Sequence, residues 1–204
     1  MELRMVWIWP AVLALAACGG GGSDGGGSGI DPRLARLDIY EAQRVRILGD
    51  PGAGAMGMAQ TDPGAMPTSG SADFTGFVSI RVESATPMTL FGGAGISVGF
   101  DTQEVTGRMD SFFGTNSTGS VVDYSGAIAI DGGSVGATAG NSLTLDYAGA
   151  LTTTGETLVF DGTATGSFLG TPIGAISLSE LEAVVDHNGQ LRDATLVILA
   201  ETSP

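Results

Sequence analysis

The fold is decided by residues 71–83, SADFTGFVSIRVE, whose side chains alternate between an apolar and a polar face. The apolar face holds Phe74, Gly76, Val78, Ile80 and Val82, and the polar face holds Asp73, Thr75, Ser79, Arg81 and Glu83. A period of two is typical of a half-buried strand, because successive side chains of a strand point to opposite faces. The segment therefore predicts a β-strand with one face in the core.

The same alternation recurs along the rest of the chain, in residues 90–100, 105–109, 124–130, 143–151, 158–168, 176–185 and 191–200. This pattern predicts an antiparallel sheet of about eight strands. The apolar positions change parity between Ile176–Leu178 and Leu181–Val185, which predicts a β-bulge near Glu180. The residues 186–189, DHNG, predict a hairpin turn before the last strand.

A glycine two residues after an apolar residue, usually an aromatic one, recurs on the predicted inner face. The five units are Phe74-Thr75-Gly76, Val105-Thr106-Gly107, Tyr124-Ser125-Gly126, Tyr147-Ala148-Gly149 and Phe160-Asp161-Gly162. Glycine weakens a strand unless the backbone must bend sharply there, and a neighbouring aromatic side chain can cover the bare backbone. The repeat predicts a narrow closed barrel, with an open sandwich of the same strands as the alternative.

The first eighteen residues combine a short apolar segment with small residues before a cysteine, LAAC at 15–18. An apolar run of this length is typical of a secretory signal and is too short to span a bilayer. The tetrapeptide resembles the lipobox of bacterial lipoproteins, which implies cleavage before Cys18, acylation of Cys18 and a membrane lipid as partner. Gly19 after the cysteine resembles sorting patterns for the outer membrane. An ordinary signal peptide with an incidental cysteine is the alternative.

The chain divides into four predicted parts: a signal peptide at 1–17, a lipidated glycine-rich tether at 18–29, a short helix with an irregular connector at 30–70, and the barrel at 71–204. Asp31-Pro32 predicts the start of the helix and Gly49 its end. Leu34, Leu37, Val45 and Leu48 predict its buried stripe. Four of the eight arginines lie in this part, and we interpret them as a solvated face or as contacts with anionic lipid or the acidic barrel.

Charge and composition exclude several classes of protein. The net charge of −14, with no lysine among the eight basic residues, excludes a nucleic-acid binder. One cysteine and one histidine exclude a disulfide scaffold and a Cys/His zinc site. The sequence predicts no cofactor and no metal site. A hydrolase would depend on His187, which lies in a predicted exposed turn, so we expect no enzymatic activity.

Several segments resemble the barrel domain of the transferrin-binding protein B family. They are PTSGSADFTGFVSI at 67–80, LFGGAGISVGFDTQEVTGRMDSF at 90–112, and GTATGSFLGTPIGAISLSEL at 162–181. The resemblance implies an eight-stranded antiparallel barrel with a filled interior on an outer-membrane lipoprotein that captures proteins through its loops. The chain differs from that family in having one barrel and no preceding handle domain, so no binding residue is transferred.

The predicted function is that of a non-enzymatic, lipid-anchored binding module of the outer membrane or cell surface. Loops on a rigid scaffold usually carry recognition, so residues 83–89, 113–120 and 131–141 are the candidate binding loops. The partner is an unidentified protein or small molecule. The alternative is a periplasm-facing carrier that holds a small apolar ligand inside the barrel.

Overall fold

The structure is a computed structural model that describes residues 31–136 and 139–203. The predicted signal peptide, the lipidation site Cys18 and the tether lie outside the described residues. Helix α1 (Pro32–Leu48) comes first, followed by the short strands β1 (Gly49–Asp50) and β2 (Ala55–Met56) and a 3-10 turn (Pro63–Ala65). Then come β3 (Ser71–Val82), β4 (Met88–Gly99), β5 (Val105–Thr115), β6 (Val121–Asp123), β7 (Ser125–Val135), β8 (Ser142–Thr153), β9 (Glu156–Leu169), β10 (Ala175–His187) and β11 (Gln190–Thr202).

The sheet from β3 to β11 closes on itself. Its strand order is β4-β3-β11-β10-β9-β8-β7-β5-β6. Strand β4 also pairs with β5, and this pairing closes the sheet into a barrel. All of these pairings are antiparallel. Strands β6 and β7 are separated only by Tyr124 and together form one wall, so the barrel has eight walls. The prediction of a single all-β, eight-stranded antiparallel barrel is confirmed, and the open sandwich is excluded.

Side chains fill the barrel interior. The alternating apolar residues predicted for the inner face are buried, and their cluster extends across all eight walls. The aromatic ring of Phe168 lies near the rings of Phe74 and Phe100, with centroid distances of 6.0 and 5.8 Å. Phe112 adds a further aromatic side chain to the same cluster. The interior is therefore a packed core that holds the walls together.

The repeated glycines allow the close approach of neighbouring walls. A Cβ atom added at Gly76, Gly107, Gly126 or Gly149 would overlap a backbone carbonyl oxygen of the adjacent strand. At Gly162 an added Cβ would instead lie 2.6 Å from the Tyr147 hydroxyl. Cover by an aromatic side chain, as predicted, thus applies at Gly162, whereas the other four glycines are required by contact between backbones.

Strand β10 contains the predicted bulge. Its register against β11 shifts between Glu180 and Ala183. Ala183 and Val185 face the core beyond the shift, as predicted. The prediction was wrong for Leu181, whose side chain is 63% exposed, because the bulge itself turns this residue outward.

Helix α1 begins and ends where predicted. The Asp31 carboxylate accepts a hydrogen bond from the Arg33 amide at 2.9 Å, Pro32 is the first helical residue, and Gly49 ends the helix with a φ of +79°. The predicted buried stripe is wrong for Leu34 and Leu48, which are exposed, while Leu37 and Val45 are half-buried. The fully buried residues of the helix are Gln43 and Ile47. The helix is therefore rotated so that another face meets the barrel.

The buried face of α1 packs on the outer wall of the barrel. The Tyr40 ring stacks on Phe77 at a centroid distance of 4.9 Å, and Ile47 joins a cluster that contains Phe77 and Leu199. The Gln43 amide donates a hydrogen bond to the Thr75 carbonyl oxygen at 2.9 Å. Phe77, which lies at an outward position of β3, is therefore covered by the helix rather than by the core.

Arginines fix both ends of α1 to acidic residues of the barrel. The Arg33 guanidinium donates two hydrogen bonds to Asp123, at 2.7 and 3.0 Å. Arg46 does the same with Glu201, at 2.6 and 2.9 Å. Arg44 pairs with a carboxylate of its own helix. The basic segment thus contacts the acidic barrel of the same chain, and the interpretation as a solvated face is wrong for Arg33 and Arg46.

Another arginine of α1, Arg36, contacts an aromatic side chain of the barrel. The Arg36 guanidinium lies 4.6 Å from the centre of the Phe113 ring and donates a hydrogen bond to the Ser111 carbonyl oxygen at 2.6 Å. Cation–π contacts and bidentate pairs are the geometries in which arginine binds most specifically. The docking of α1 therefore combines one apolar contact region with three arginine contacts.

These ion pairs predict an acid-dependent stability. Hydrogen bonds from Arg46 lower the pKa of Glu201, and hydrogen bonds from Arg33 lower the pKa of Asp123. A carboxylate with a lowered pKa stabilises the fold above its unfolded-state pKa, and that stabilisation is lost as the pH falls through the folded-state pKa. We expect Arg46→Gln to cost below about 1 kcal/mol at pH 7, because the Arg46 side chain is 56% exposed, and to cost nothing near about pH 2.

Thermal unfolding of the wild-type chain and Arg46→Gln across this pH range measures the difference. Glu201→Gln is the matched control, because Arg46→Gln added to it should show no dependence on pH. An equal cost of Arg46→Gln at both pH values would contradict the role of the pair.

The two ends of the barrel differ in what covers them. At one end, which we call the closed end, the connector of residues 57–70 crosses the strand ends. Thr61 accepts a hydrogen bond from the buried Asn141 amide at 2.6 Å and donates one to the Gly170 carbonyl oxygen at 2.7 Å. The other end, which we call the open end, carries the loops at 83–87 and 116–120 and the turns at 154–155 and 188–189. In the described part of the chain, α1 is not long and apolar enough to cross a membrane.

Candidate binding surface at the open end of the barrel

The structure brings together two of the three predicted binding loops. The loop at 83–87 joins β3 to β4, and the loop at 116–120 joins β5 to β6, so both lie at the open end. The loop after β7 lies at the closed end instead, because each antiparallel wall reverses the direction of the chain. The predicted ranges 83–89, 113–120 and 131–141 also include residues that extend the strands.

Hydrogen bonds within the loop at 116–120 hold its shape. The side-chain oxygen of Asn116 accepts from the amides of Thr118 and Ser120, at 3.1 and 2.9 Å, and from the Thr118 hydroxyl at 2.8 Å. Asparagine in this position closes a local turn without help from the rest of the protein. The loop therefore presents the exposed side chains of Thr118 and Ser120 in one conformation.

A buried carboxylate attaches this loop to the barrel. The Ser117 amide donates a hydrogen bond to Glu156 Oε1 at 2.9 Å, and the Ser117 hydroxyl donates to the same oxygen. Glu156 is 7% exposed, so both hydrogen bonds are largely shielded from water. Charge-assisted hydrogen bonds are stronger than neutral ones, and they fix the loop relative to β9.

Four polar side chains follow the inner faces of their strands at the open end, and we call them the polar cluster: Tyr124, Glu156, His187 and Arg192. Each keeps the parity of the core residues next to it, such as Leu158 for Glu156 and Val185 for His187. His187 pairs in register with Leu158, and Arg192 pairs with Val185. The core therefore changes from apolar to polar as the walls reach the open end.

Three atoms of the polar cluster have no hydrogen-bond partner in the described part of the chain. They are Glu156 Oε2, His187 Nε2 and Arg192 Nε, and all three are buried. One is an acceptor, one is a donor, and an imidazole nitrogen is either. A buried polar atom without a partner costs free energy, so this end of the core has unused capacity to form hydrogen bonds.

Two buried tyrosines serve as hydrogen-bond donors in the interior. The Tyr124 hydroxyl donates to the Thr115 carbonyl oxygen at 3.1 Å, and burial raises its pKa, with a further contribution from Glu156. Deeper in the barrel, the Tyr147 hydroxyl donates to Glu180 Oε2 at 2.7 Å. Burial also raises the pKa of Tyr147. Both hydroxyls therefore stay protonated at neutral pH.

His187 lies in a different environment from the one predicted. The turn at Asn188 and Gly189 is present, but the histidine itself is half-buried because it continues the inner face of β10. Among the described residues, no hydrogen bond joins its ring to a serine or a carboxylate. In the part of the chain that the structure describes, His187 thus forms no hydrogen-bonded triad with a serine and an acid.

The arrangement at the open end suits binding by hydrogen bonds. Across residues 31–136 and 139–203, no group of three or more histidine, cysteine, aspartate or glutamate side chains is placed to hold a metal ion. Sequence reasoning missed the polar cluster because it placed His187 in an exposed turn and assigned no role to Glu156 or Arg192. The parity of Glu156 with Leu158, of His187 with Val185 and of Arg192 with Ala194 was the signal that would have found it.

Two surface cavities lie away from this end. One, of about 310 Å³, lies between the end of α1 and the outer surface of β9 and β10, beside Met58 and Leu169. The other, of about 510 Å³, lies at the closed end beside Met66 and Phe100. Neither is lined by the loops at 83–87 and 116–120.

Comparison with models of known protein families finds no match, and comparison with curated proteins finds none either. The resemblance to the transferrin-binding protein B family therefore stays a prediction that depends on the segments quoted above.

Proposed function

We propose that this chain is a non-enzymatic, lipid-anchored lipoprotein of the outer membrane that binds a macromolecular partner through the open end of its barrel. The observation that carries the proposal is the convergence of two predicted binding loops at this end, one of them attached to buried Glu156. A loop held in one conformation loses little entropy on binding, which favours affinity.

The alternative, a carrier of a small apolar ligand, has less support. Its ligand would need space inside the barrel, where the inward positions are occupied by buried aliphatic and aromatic side chains. Phe168 and its neighbours Phe74 and Phe100 occupy the half of the interior near the closed end. A ligand inside would have to displace part of this core.

Site-specific photo-crosslinking on intact cells tests the use of the open end. A photoreactive amino acid replaces Thr118 at the open end or, as the matched control, the exposed Thr102 at the closed end. We expect covalent adducts with a second macromolecule at position 118 and at least about tenfold fewer at position 102. The reason is that a partner bound at the open end lies within reach of position 118 and not of position 102. Equal yields, or adducts at position 102 alone, would overturn the proposal.

The anchor is tested separately, through the only cysteine of the chain. We expect Cys18→Ala to abolish incorporation of labelled palmitate completely, because the lipobox cysteine is acylated on its sulfur and alanine has no thiol. Metabolic labelling followed by gel autoradiography measures this effect, with Ser23→Ala as the control that should leave labelling unchanged. Persistent labelling of Cys18→Ala would show that the lipid is attached to another residue.

A further inference from the structure

The outer wall of β9, β10 and β11 carries a second apolar area, which we call the wall patch: Val159, Leu181, Val184 and Leu191. Their side chains are 45%, 63%, 49% and 75% exposed. Asp186 pairs in register with both Leu191 and Val159, so these two residues flank it on neighbouring strands, and Val184 lies two residues away on β10. Leu181 adds to the patch because the β10 bulge turns it outward.

Helix α1 covers one apolar part of the outer wall, whereas no described element covers the wall patch. Under α1, the outward residues Phe77 and Leu199 are 5% and 1% exposed. These two residues and Ile47 form a cluster separate from the barrel core. Contiguous exposed apolar surface on a protein is typical of an interaction site.

Acidic side chains surround the wall patch. Asp161, Glu182 and Asp193 are exposed, and Asp186 lies at its centre. None of the four forms an ion pair with another described residue. Because the whole chain carries a net charge of −14 and contains no lysine, the field around the patch is negative. A partner surface complementary to this patch would carry apolar side chains with positive charges between and around them.

The contacts of helix α1 show how the outer wall of this barrel binds a helix. Its buried face places Tyr40 and Ile47 on apolar wall residues, while Arg33 and Arg46 each pair with a carboxylate beside them. The wall patch offers the same two elements, aliphatic side chains and carboxylates that form no ion pair, and no described helix covers it. We infer that the wall patch docks an amphipathic helix of a partner protein, with arginine or lysine residues flanking its apolar stripe.

This inference goes beyond the proposed function, because the wall patch is a different surface from the loops at 83–87 and 116–120. Its direct test is to measure, by fluorescence anisotropy, the binding of a labelled synthetic helix to the full chain in a neutral detergent. The probe is a 17-residue alanine-based peptide with leucines on one face and arginines beside them, about 25 Å long as a helix. The control probe has glutamate in place of every arginine.

Two double variants remove the two elements of the patch. Val184→Ser with Leu191→Ser removes apolar surface, and Asp186→Asn with Asp193→Asn removes charge while keeping the acceptor that Asp186 offers to the Gly189 amide. We expect each to raise the dissociation constant of the arginine peptide about tenfold or more, the range for loss of central contacts. All four residues are at the surface, and an unchanged circular dichroism spectrum confirms folding.

Matched variants elsewhere separate the patch from general effects. Met56→Ser removes a 93% exposed apolar side chain, and Asp101→Asn with Glu104→Gln removes two charges at the closed end. Neither should change the dissociation constant more than about twofold. Equal binding of the glutamate peptide, or equal effects of patch and control variants, would overturn the inference. A concentration-dependent dimer that Val184→Ser with Leu191→Ser abolishes would also overturn it, since the occupant would then be a second copy.

Discussion

Replacing Gly149 with alanine lowers the free energy of unfolding of the barrel by about 3 kcal/mol, the upper part of the range for overpacked cores. The added Cβ would overlap the carbonyl oxygen of Ala127 on the neighbouring strand and lie 2.6 Å from the Cα of Ile128. Backbone atoms of a paired strand cannot move aside as a flexible side chain can. The β7–β8 ladder must therefore separate or break hydrogen bonds to accept one methyl group.

Gly95→Ala provides the matched control for this effect. Gly95 also lies inside a barrel strand, but no atom of the described residues beyond its immediate chain neighbours lies within 4 Å of a Cβ added there. We expect this variant to change stability by less than about 1 kcal/mol, because it only reduces the conformational freedom of the unfolded chain. Chemical denaturation of both variants, with comparison of slopes, measures the difference. Equal losses at the two positions would contradict close backbone approach as the reason for the inner-face glycines.

Replacing Ile47 with aspartate releases α1 from the barrel wall and exposes its arginines to trypsin. Ile47 is fully buried against the wall, and a carboxylate placed there without a cationic partner costs several kcal/mol. We expect the helix to leave the wall, because undocking lets the new carboxylate reach water. We expect cleavage after Arg36 and Arg44 to become at least about tenfold faster, because proteolysis follows the population of the locally open state.

Ile39→Asp is a close control, because it makes the same substitution in the same helix at a position that is 63% exposed. We expect its cleavage rate to match that of the wild-type chain within about twofold. Mass spectrometry of timed trypsin digests measures both rates and confirms that the barrel strands remain uncut. If the two variants were cleaved at the same rate, docking through Ile47 would not be what protects the helix.

The barrel was predictable from sequence because its signal is local and repeated. Each wall alternates apolar and polar residues, and the inner-face glycines recur with a fixed spacing, so many weak observations agree. The β10 bulge was visible as a change of parity, but the outward turn of Leu181 within it was not. A bulge inserts an extra residue into the strand, and the alternation of apolar and polar residues alone does not show which residue turns outward.

The packing of α1 was not predictable in the same way. A leucine stripe assumes that a helix buries aliphatic residues, whereas α1 binds a curved wall through Tyr40, Gln43, Ile47 and paired arginines. The complementary signal was Phe77, an aromatic residue at a polar position of β3. Its register indicates an outward side chain that needs cover from outside the barrel.

The grouping of the loops depends on topology rather than on local sequence. Once the walls are known to be antiparallel and consecutive, the loops after β3 and β5 must share one end, and the loop after β7 must lie at the other. The attachment of Ser117 to Glu156 joins residues that are far apart in the chain. No motif or periodic spacing in the sequence predicts such a contact.

The position of α1 determines how the barrel responds to mechanical tension. A pull on the chain before Asp31 is applied first to the Arg33–Asp123 pair, at the outermost turn of the helix. The helix then peels from that turn toward Arg46, so its contacts yield one after another instead of together. Unwinding 17 residues lengthens the linkage from about 25 Å to about 60 Å before β3 is loaded. Under such a pull, helix α1 would therefore lengthen before the strands of the barrel carry the load.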